Sequence, residues 1–337
     1  MEQSPDSVAR HAFDPDLRRK VMAYCALDNW HGPLELIEHW AIIAGAVAVS
    51  YWAWQELAFL VAVPVYLIAV FLIGGRQRAL AGVLHQACHR TLMKNRLAAS
   101  VLGAVFGGHP VLQSFTGYVA SHIRNHHSRF GDPDHDPDYQ FFVSSGLYGA
   151  GLGRASLRRY LLGVLSPRAT ARYVAFLLRH RILPAEEARW ETVLRLLTYL
   201  LIGGLSMWTG TLWLLVGYWL VPLVTTQAWI GSIAELLEHF PLMKSAQPVD
   251  IHMSRNREFG WLWDIVVGEK HGEGYHLVHH LFPRVPRWRL GEVHGLLKTD
   301  PAYAVLDTPT DPVKAFRSIY TALPNNEGAE MGEPRAA

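Results

Sequence analysis

Nine histidines recur at helical spacing in this chain. His85 and His89 stand four apart in "HQACH"; His122, His126 and His127 follow in "HIRNHH"; His276, His279 and His280 close the set in "HLVHH". His239 lies in "AELLEHF", with Glu235 one helical turn earlier on the same face. A single pair of this kind is an ordinary hydrogen-bonded surface feature, but several doubled clusters are harder to explain without a metal. Neutral imidazole suits zinc, copper, iron and nickel, so ligand type alone leaves the metal open. Number is more informative. Nine imidazoles exceed what one tetrahedral zinc uses, whereas two ions with about five ligands each would employ the set plus water. Two adjacent irons are the usual arrangement when O₂ must be activated to break an unactivated C–H bond.

Carboxylates crowd the second cluster. Residues 121 to 139 read "SHIRNHHSRFGDPDHDPDY", four histidines and four aspartates in a chain that is half hydrophobic. A metal-bound imidazole donates its other N–H to an acceptor, which fixes its tautomer and ring orientation. Asp132, Asp134, Asp136 and Asp138 can serve as such acceptors or pair with Arg124. We therefore expect Asp132, Asp136 and Glu235 to bind metal directly or to orient its ligands. No catalytic group beyond the ligands is expected. His135 falls outside the set, as do His11, His31, His39, His109, His180, His252, His271 and His294, which read as interfacial or structural.

The elements that must position these residues look membrane-embedded. Only 18% of the 337 residues are charged, against about 25% in soluble domains, and there are 12 Trp and 13 Tyr. Uncharged segments at about 40–55 and 57–75, separated by Glu56, predict one helical hairpin; about 194–208 and 211–233, joined at Gly210, predict a second. Basic residues flank the hairpins: Arg18, Arg19 and Lys20; Arg76, Arg78, Arg90, Lys94 and Arg96; Arg189 and Arg195; Arg255 and Arg257. The outer turns carry none. By the positive-inside rule both termini and the histidine clusters are cytoplasmic, in the inner or cell membrane. Leu97–Val119, interrupted by Gly103, Gly107, Gly108 and Pro110, is expected to lie in the interface or re-enter the bilayer, and residues 146–183 to form interfacial amphipathic helix. The fold class expected is all-α: a polytopic membrane protein of four transmembrane helices in two hairpins, with a cytoplasmic helical cap holding a di-metal site. Residues 1–20 read as a polar tail without a signal-peptide pattern, 21–323 as a single domain, and 324–337 as a disordered tail.

The pattern HxxxH, HxxxHH and HxxHH around two hairpins resembles the integral-membrane fatty acid desaturase and hydroxylase superfamily. The resemblance runs from about Trp40 to about Leu297 and includes "HRTLMKNR", "DPDHDP" and "YHLVHHLFPRVP". It implies a non-haem di-iron centre on the cytoplasmic face, with His85, His89, His122, His126, His127, His276, His279 and His280 matching the boxes and His239 the additional ligand. Two departures stand out. Many acyl desaturases have HxxHH as the second box, and the HxxxHH found here resembles the alkane-hydroxylase branch. Where animal acyl-CoA enzymes carry an asparagine holding a metal-bound water, this chain has Glu235.

The implied activity is O₂-dependent desaturation of an acyl or alkyl chain in lipid metabolism. One alternative is hydroxylation or ketolation of an alkyl, sphingolipid or carotenoid-like substrate; a second is a zinc-dependent or non-enzymatic membrane protein. Two cysteines, Cys25 and Cys88, cannot build an iron–sulfur cluster, and no glycine-rich nucleotide fingerprint is present. Electrons are therefore expected from an external ferredoxin, rubredoxin or cytochrome with its reductase. Arg284, Arg287 and Arg289 beside Trp288 form a candidate surface for that donor, an acyl carrier or lipid headgroups. A net charge of +2 with no basic–aromatic tract argues against nucleic acid.

Overall fold

The computed structural model describes residues 9–148, 152–184, 188–244 and 249–325. Among them the chain is all helical, with no strand and a single isolated bridge between Ala9 and Val249. The expected C-terminal disorder falls mostly on 326–337, outside the described residues, as do residues 1–8 of the N-terminal tail. The rest of that tail is ordered. Asp14 caps helix α1 (Pro15–Ala23) by accepting from the Asp16 and Leu17 amides, and Leu17 and Val21 bury against Leu277, Val278 and Val293.

Helix α2 (His31–Glu56) and helix α3 (Phe59–Cys88) form the first hairpin, turning at Leu57 and Ala58. α3 has 30 residues and so runs about 45 Å, against a hydrocarbon core of about 30 Å. Its uncharged stretch ends at Gly75, so His85 stands about 15 Å further along the axis. That overhang lifts the first histidine pair clear of the apolar stretch.

Three helices are long and apolar enough to cross a membrane: α2, α3 and Leu212–His239. The expected fourth, Arg189–Trp208, is a 20-residue helix whose first turns are polar. Those polar groups face the protein. Glu191 accepts from the amides of Phe115 and Thr116 and from the Thr116 hydroxyl, while Arg195 donates to the carbonyls of Leu112 and Ile182. The segment expected to be interfacial is a bent pair, Arg154–Gly163 and Pro167–Ile182, broken by 91°; together the two are also long and apolar enough to span, while residues 149–151 lie outside the described set. The turn between Arg189–Trp208 and Leu212–His239 uses Gly210 at φ +70°, a left-handed conformation open to glycine at little cost.

Hydrogen bonds tie the apolar helices together where π-turns free backbone carbonyls. In the π-turn Val216–Leu220, the Gly217 carbonyl accepts from Tyr66 at 2.9 Å and the Trp219 carbonyl from Gln77 at 2.9 Å. The glycine-broken stretch after α3 also contains a π-segment, Leu102–Gly108, which packs along α3.

Several basic residues read as flanking charges are buried inside the protein, Arg76, Arg195 and Arg257, and Arg255 is half-buried. They answer buried carboxylates and backbone carbonyls rather than headgroups. Arg18, Arg19, Lys20, Arg90, Lys94, Arg96 and Arg189 are exposed as expected.

Candidate metal centre

The three boxes and His239 come together at one end of the helices. They arrive from four elements: the end of α3, the π-helix Val119–His127, the end of Leu212–His239, and the short helix His276–Leu281. The imidazoles sort into two adjoining groups. His85, His89, His122, His127 and His279 present ring nitrogens within 4.8 Å of one another; His126, His239 and His280 do the same, and His276 joins His239 and Glu238 in an overlapping set. The groups touch where the rings of His127 and His280 stack, 4.3 Å between centroids.

The π-helix explains the unusual second box. Its i→i+5 winding puts His122 and His127 together, Nε2 to Nε2 3.1 Å, and sends His126 to the other group. The pair read at i, i+4, His122 and His126, therefore bridges the groups, and with Asp138 it forms a further metal-competent set. In the third box, His279 faces the first group, 3.2 Å from His127, while His276 and His280 face the second.

These nitrogens fit a metal better than they fit one another. His276 lies 3.0 Å from both His239 and His280, Nε2 to Nε2 in each case, a packing of lone pairs that needs a proton or a cation between them. The Nε2 atoms of His85, His89 and His126 are buried without any hydrogen-bond partner. Protonation of most of the set is disfavoured. Burial, reinforced by neighbouring imidazoles, pushes His122, His127, His276, His279 and His280 well below the ordinary histidine value, and His89 down to about 3. A buried set of neutral imidazoles has its lone pairs available as ligands.

His126 behaves differently. Burial opposes its charge, but Asp136 and Asp138 outweigh burial and raise it to about 9. Its Nδ1 lies 3.1 Å from Asp136 and 3.3 Å from Asp138, leaving Nε2 to face the second group. Asp136 is itself fixed, accepting from the amides of Gly131 and Asp138 as it caps the helix Pro137–Ser144.

The other expected carboxylates are placed differently. Asp132 does not reach the cluster: its carboxylate closes an exposed turn on the Asp134 and His135 amides and the His135 ring. In the i, i+2 series of aspartates, the cap Asp136 and Asp138 in the first turn of the helix it caps turn inward, while Asp132 stays in the exposed turn. Glu235 is outside both imidazole groups but lines an adjoining cavity with His122, His276 and His279. Two carboxylates join metal-competent sets: Asp138 with His122 and His126, and Glu238 with His239 and His276, 3.6 Å from His276 Nε2. Sequence reasoning passed over Glu238, although its adjacency to His239 was a signal.

Glu238 belongs to a buried ionic network. Arg257 donates to Glu238 at 2.8 Å and to Glu269 at 2.5 and 3.0 Å, and Arg78 reaches Glu238, Glu269 and Glu273 at 3.4, 3.6 and 2.9 Å. Arg287, expected on a donor-docking surface, is buried here as well, pairing with Glu35 at 2.7 Å and Glu273 at 3.3 Å. Arg284 is exposed and Arg289 half-exposed, while Trp288 stacks on His31. The histidines left outside the set have other partners, for example His11 with Asp300 and His294 with Tyr303.

The all-helical fold with membrane-length helices and two adjoining histidine groups that could hold metal is that of the histidine-box class of membrane proteins. The fatty acid desaturase family model matches residues 57–308, all nine histidines included, and the chain belongs to that family. It is similar to a dihydrorhizobitoxine desaturase of Bradyrhizobium elkanii, 32% identical over 288 residues that cover 82% of this chain and 78% of the relative. It is also similar to an sn-1 acyl-lipid omega-3 desaturase (ferredoxin) of Nostoc sp. (strain 36), 25% identical over 227 residues, 63% of this chain and 61% of that one. The protein is a fatty acid desaturase-like oxidoreductase.

Proposed function

We propose that this chain is an O₂-dependent desaturase whose nine histidines hold two iron ions: His85, His89, His122, His127 and His279 one, and His126, His239, His276 and His280 the other. Asp136 and Asp138 orient His126, Glu238 orients or completes the second set beside His276, and Glu235 faces the space between the metals and the substrate. When bound, such an iron pair supplies reductive activation of O₂ strong enough to remove two hydrogens from an unactivated alkyl segment. Converting CH₂–CH₂ and O₂ to CH=CH and two waters takes two electrons and two protons from outside.

The chain's own residues hold and shield this chemistry. Asp136 fixes the His126 tautomer, and Arg257 with Arg78 holds the Glu238 carboxylate in place. Tyr118, Tyr173, Phe176 and Leu177 wall the cavity next to His122 and limit the entry of water. Electrons come from a separate donor. Two cysteines are too few for a cluster, and the Nostoc relative is named for ferredoxin. We take Arg189–Trp208 as the fourth span, completing two hairpins, with the histidine end and both termini cytoplasmic. Exposed Arg18, Arg19, Lys20, Arg90, Lys94 and Arg96 on that side support this orientation. Residues 21–323 form one domain, with α1 packed at its edge.

The observation that carries the reading is the convergence of nine buried or half-buried imidazoles from four elements into two touching groups. Reconstituted with a ferredoxin, its reductase and NADPH, the purified membrane protein should carry about two irons per chain and convert an alkyl substrate to an alkene without incorporating labelled oxygen. An alcohol retaining the label, or zinc without iron in active protein, would overturn it.

A further inference from the structure

The cavity beside the histidines is small, and about half of its lining is polar. Its volume is about 110 Å³, below the roughly 300–1,000 Å³ of common small-molecule pockets. One end meets His85, His122, His276 and His279; the remainder is lined by Gln86, Gln113, Gln227, Arg181 and Glu235, by the ion-paired Arg78, Glu238, Glu273 and Arg287, and by apolar and aromatic side chains.

These polar groups lack partners. Gln113 and Gln227 are 3% and 1% exposed, and their Oε1 atoms accept nothing. Gln86 donates its Nε2 to both oxygens of Glu35 at 3.0 Å, which fixes the amide and leaves a buried Oε1 unpaired. Arg181, 5% exposed, lies over the Tyr118 ring at 4.0 Å with one Nη 3.7 Å from Asp138, and its other Nη is unpaired. Glu235 makes no hydrogen bond or ion pair among the described residues. A buried polar group without a partner is destabilising, so an aggregate of four in one cavity, beside the half-buried Glu235, points to a ligand that satisfies them. A methylene chain cannot.

Resting on the desaturase reading above, we propose that the substrate is a compact amino-acid-like zwitterion with a short alkyl arm, rather than a long-chain acyl lipid. Its carboxylate meets the free Nη of Arg181, whose planar fork matches a carboxylate. Its ammonium donates to the free oxygens among Gln86, Gln113, Gln227 and Glu235. The arm then lies toward His85, His122, His276 and His279, where the hydrogens are removed.

The test uses the iron-loaded, full-length protein in lipid nanodiscs. Calorimetric titrations compare norvaline, norleucine and methionine with hexanoate, hexylamine and palmitate. At least one amino acid should bind ten-fold or more tightly than hexanoate and hexylamine, each of which lacks one charged group, and more tightly than palmitate. Gln113→Leu with Gln227→Leu should weaken the amino acid ten-fold or more and leave iron content unchanged. Palmitate binding more tightly than every amino acid would overturn the proposal, as would wild-type affinity in the double variant or no amino-acid binding at all. O₂-dependent product analysis on the same panel separates the two readings. Palmitate binding and desaturation would defeat only the substrate inference, whereas amino-acid binding with hydroxylated product would defeat only the desaturase reading.

Discussion

The two imidazole groups use one ligand type in opposite electrostatic settings. The group of His85, His89, His122, His127 and His279 meets a carboxylate only at its edge, where Asp138 joins His122 and His126, and burial keeps those of its rings outside the apolar helices free of protons. The group of His126, His239, His276 and His280 is ringed by Asp136, Asp138 and Glu238, and His126 carries a proton up to about pH 9 when no metal displaces it. The lesson is that equal ligands need not give equal sites. The first group is set by exclusion of water, the second by anionic partners that fix ring orientation and raise ligand basicity.

The comparison breaks most severely if ligands are removed. His85→Ala and His126→Ala should each lower turnover by at least about 100-fold, the upper end of what loss of a mere orienting partner costs, and each should cost about one of two irons. Membrane insertion should be unaffected. Unchanged iron in both variants would contradict the ligand assignment.

Asp136→Asn comes next. It removes an acceptor from His126 alone, and metal affinity should fall about 10–100-fold in the second group while the first stays loaded. Metal analysis under graded chelation reads this directly; equal loss from both groups would erase the contrast. Glu238→Gln should act more through stability. It leaves Arg257 and Arg78 short of a buried partner, a change that costs about 3–5 kcal/mol when a buried pair is broken. Thermal unfolding in detergent at matched iron content checks it.

pH sharpens the contrast with the sign fixed by His126. Its folded value lies above the ordinary histidine value, so its proton-dependent stabilisation of metal-free protein is fully present below about 6.5 and is lost as pH rises through about 9. Metal must displace that proton. Uptake by the second group should therefore strengthen between about pH 6.5 and 9, up to ten-fold per unit, while uptake by the first stays nearly flat. The smallest effect is expected from Asp132→Asn, which alters an exposed turn only: no change in iron and within about 1 kcal/mol in stability.

How much of this was legible in sequence follows from range. Histidine spacing and uncharged runs are local patterns, so the boxes, both hairpin turns and the all-helical class could be read directly. Long-range pairing could not. Arg195, Arg255, Arg257 and Arg287 read as surface charges because their partners are distant in the chain, Glu35 lying 252 positions from Arg287. Asp132 and Asp136 share one repeating motif, and only the cap on Pro137–Ser144 distinguishes them. The π-winding of Val119–His127 also lay outside the reach of a 3.6-residue periodicity, so the approach of His127 to His122 was not legible beside the i, i+4 pair of His122 and His126. The polar opening turns of Arg189–Trp208 mark a helix that is tied to its neighbours as well as apolar along its length.

Iron-edge anomalous scattering from crystals of the active protein reaches the central claim most directly. Two iron peaks are expected, one enclosed by His85, His89, His122, His127 and His279 and the other by His126, His239, His276 and His280. A single peak, or a signal at the zinc edge alone, would contradict it.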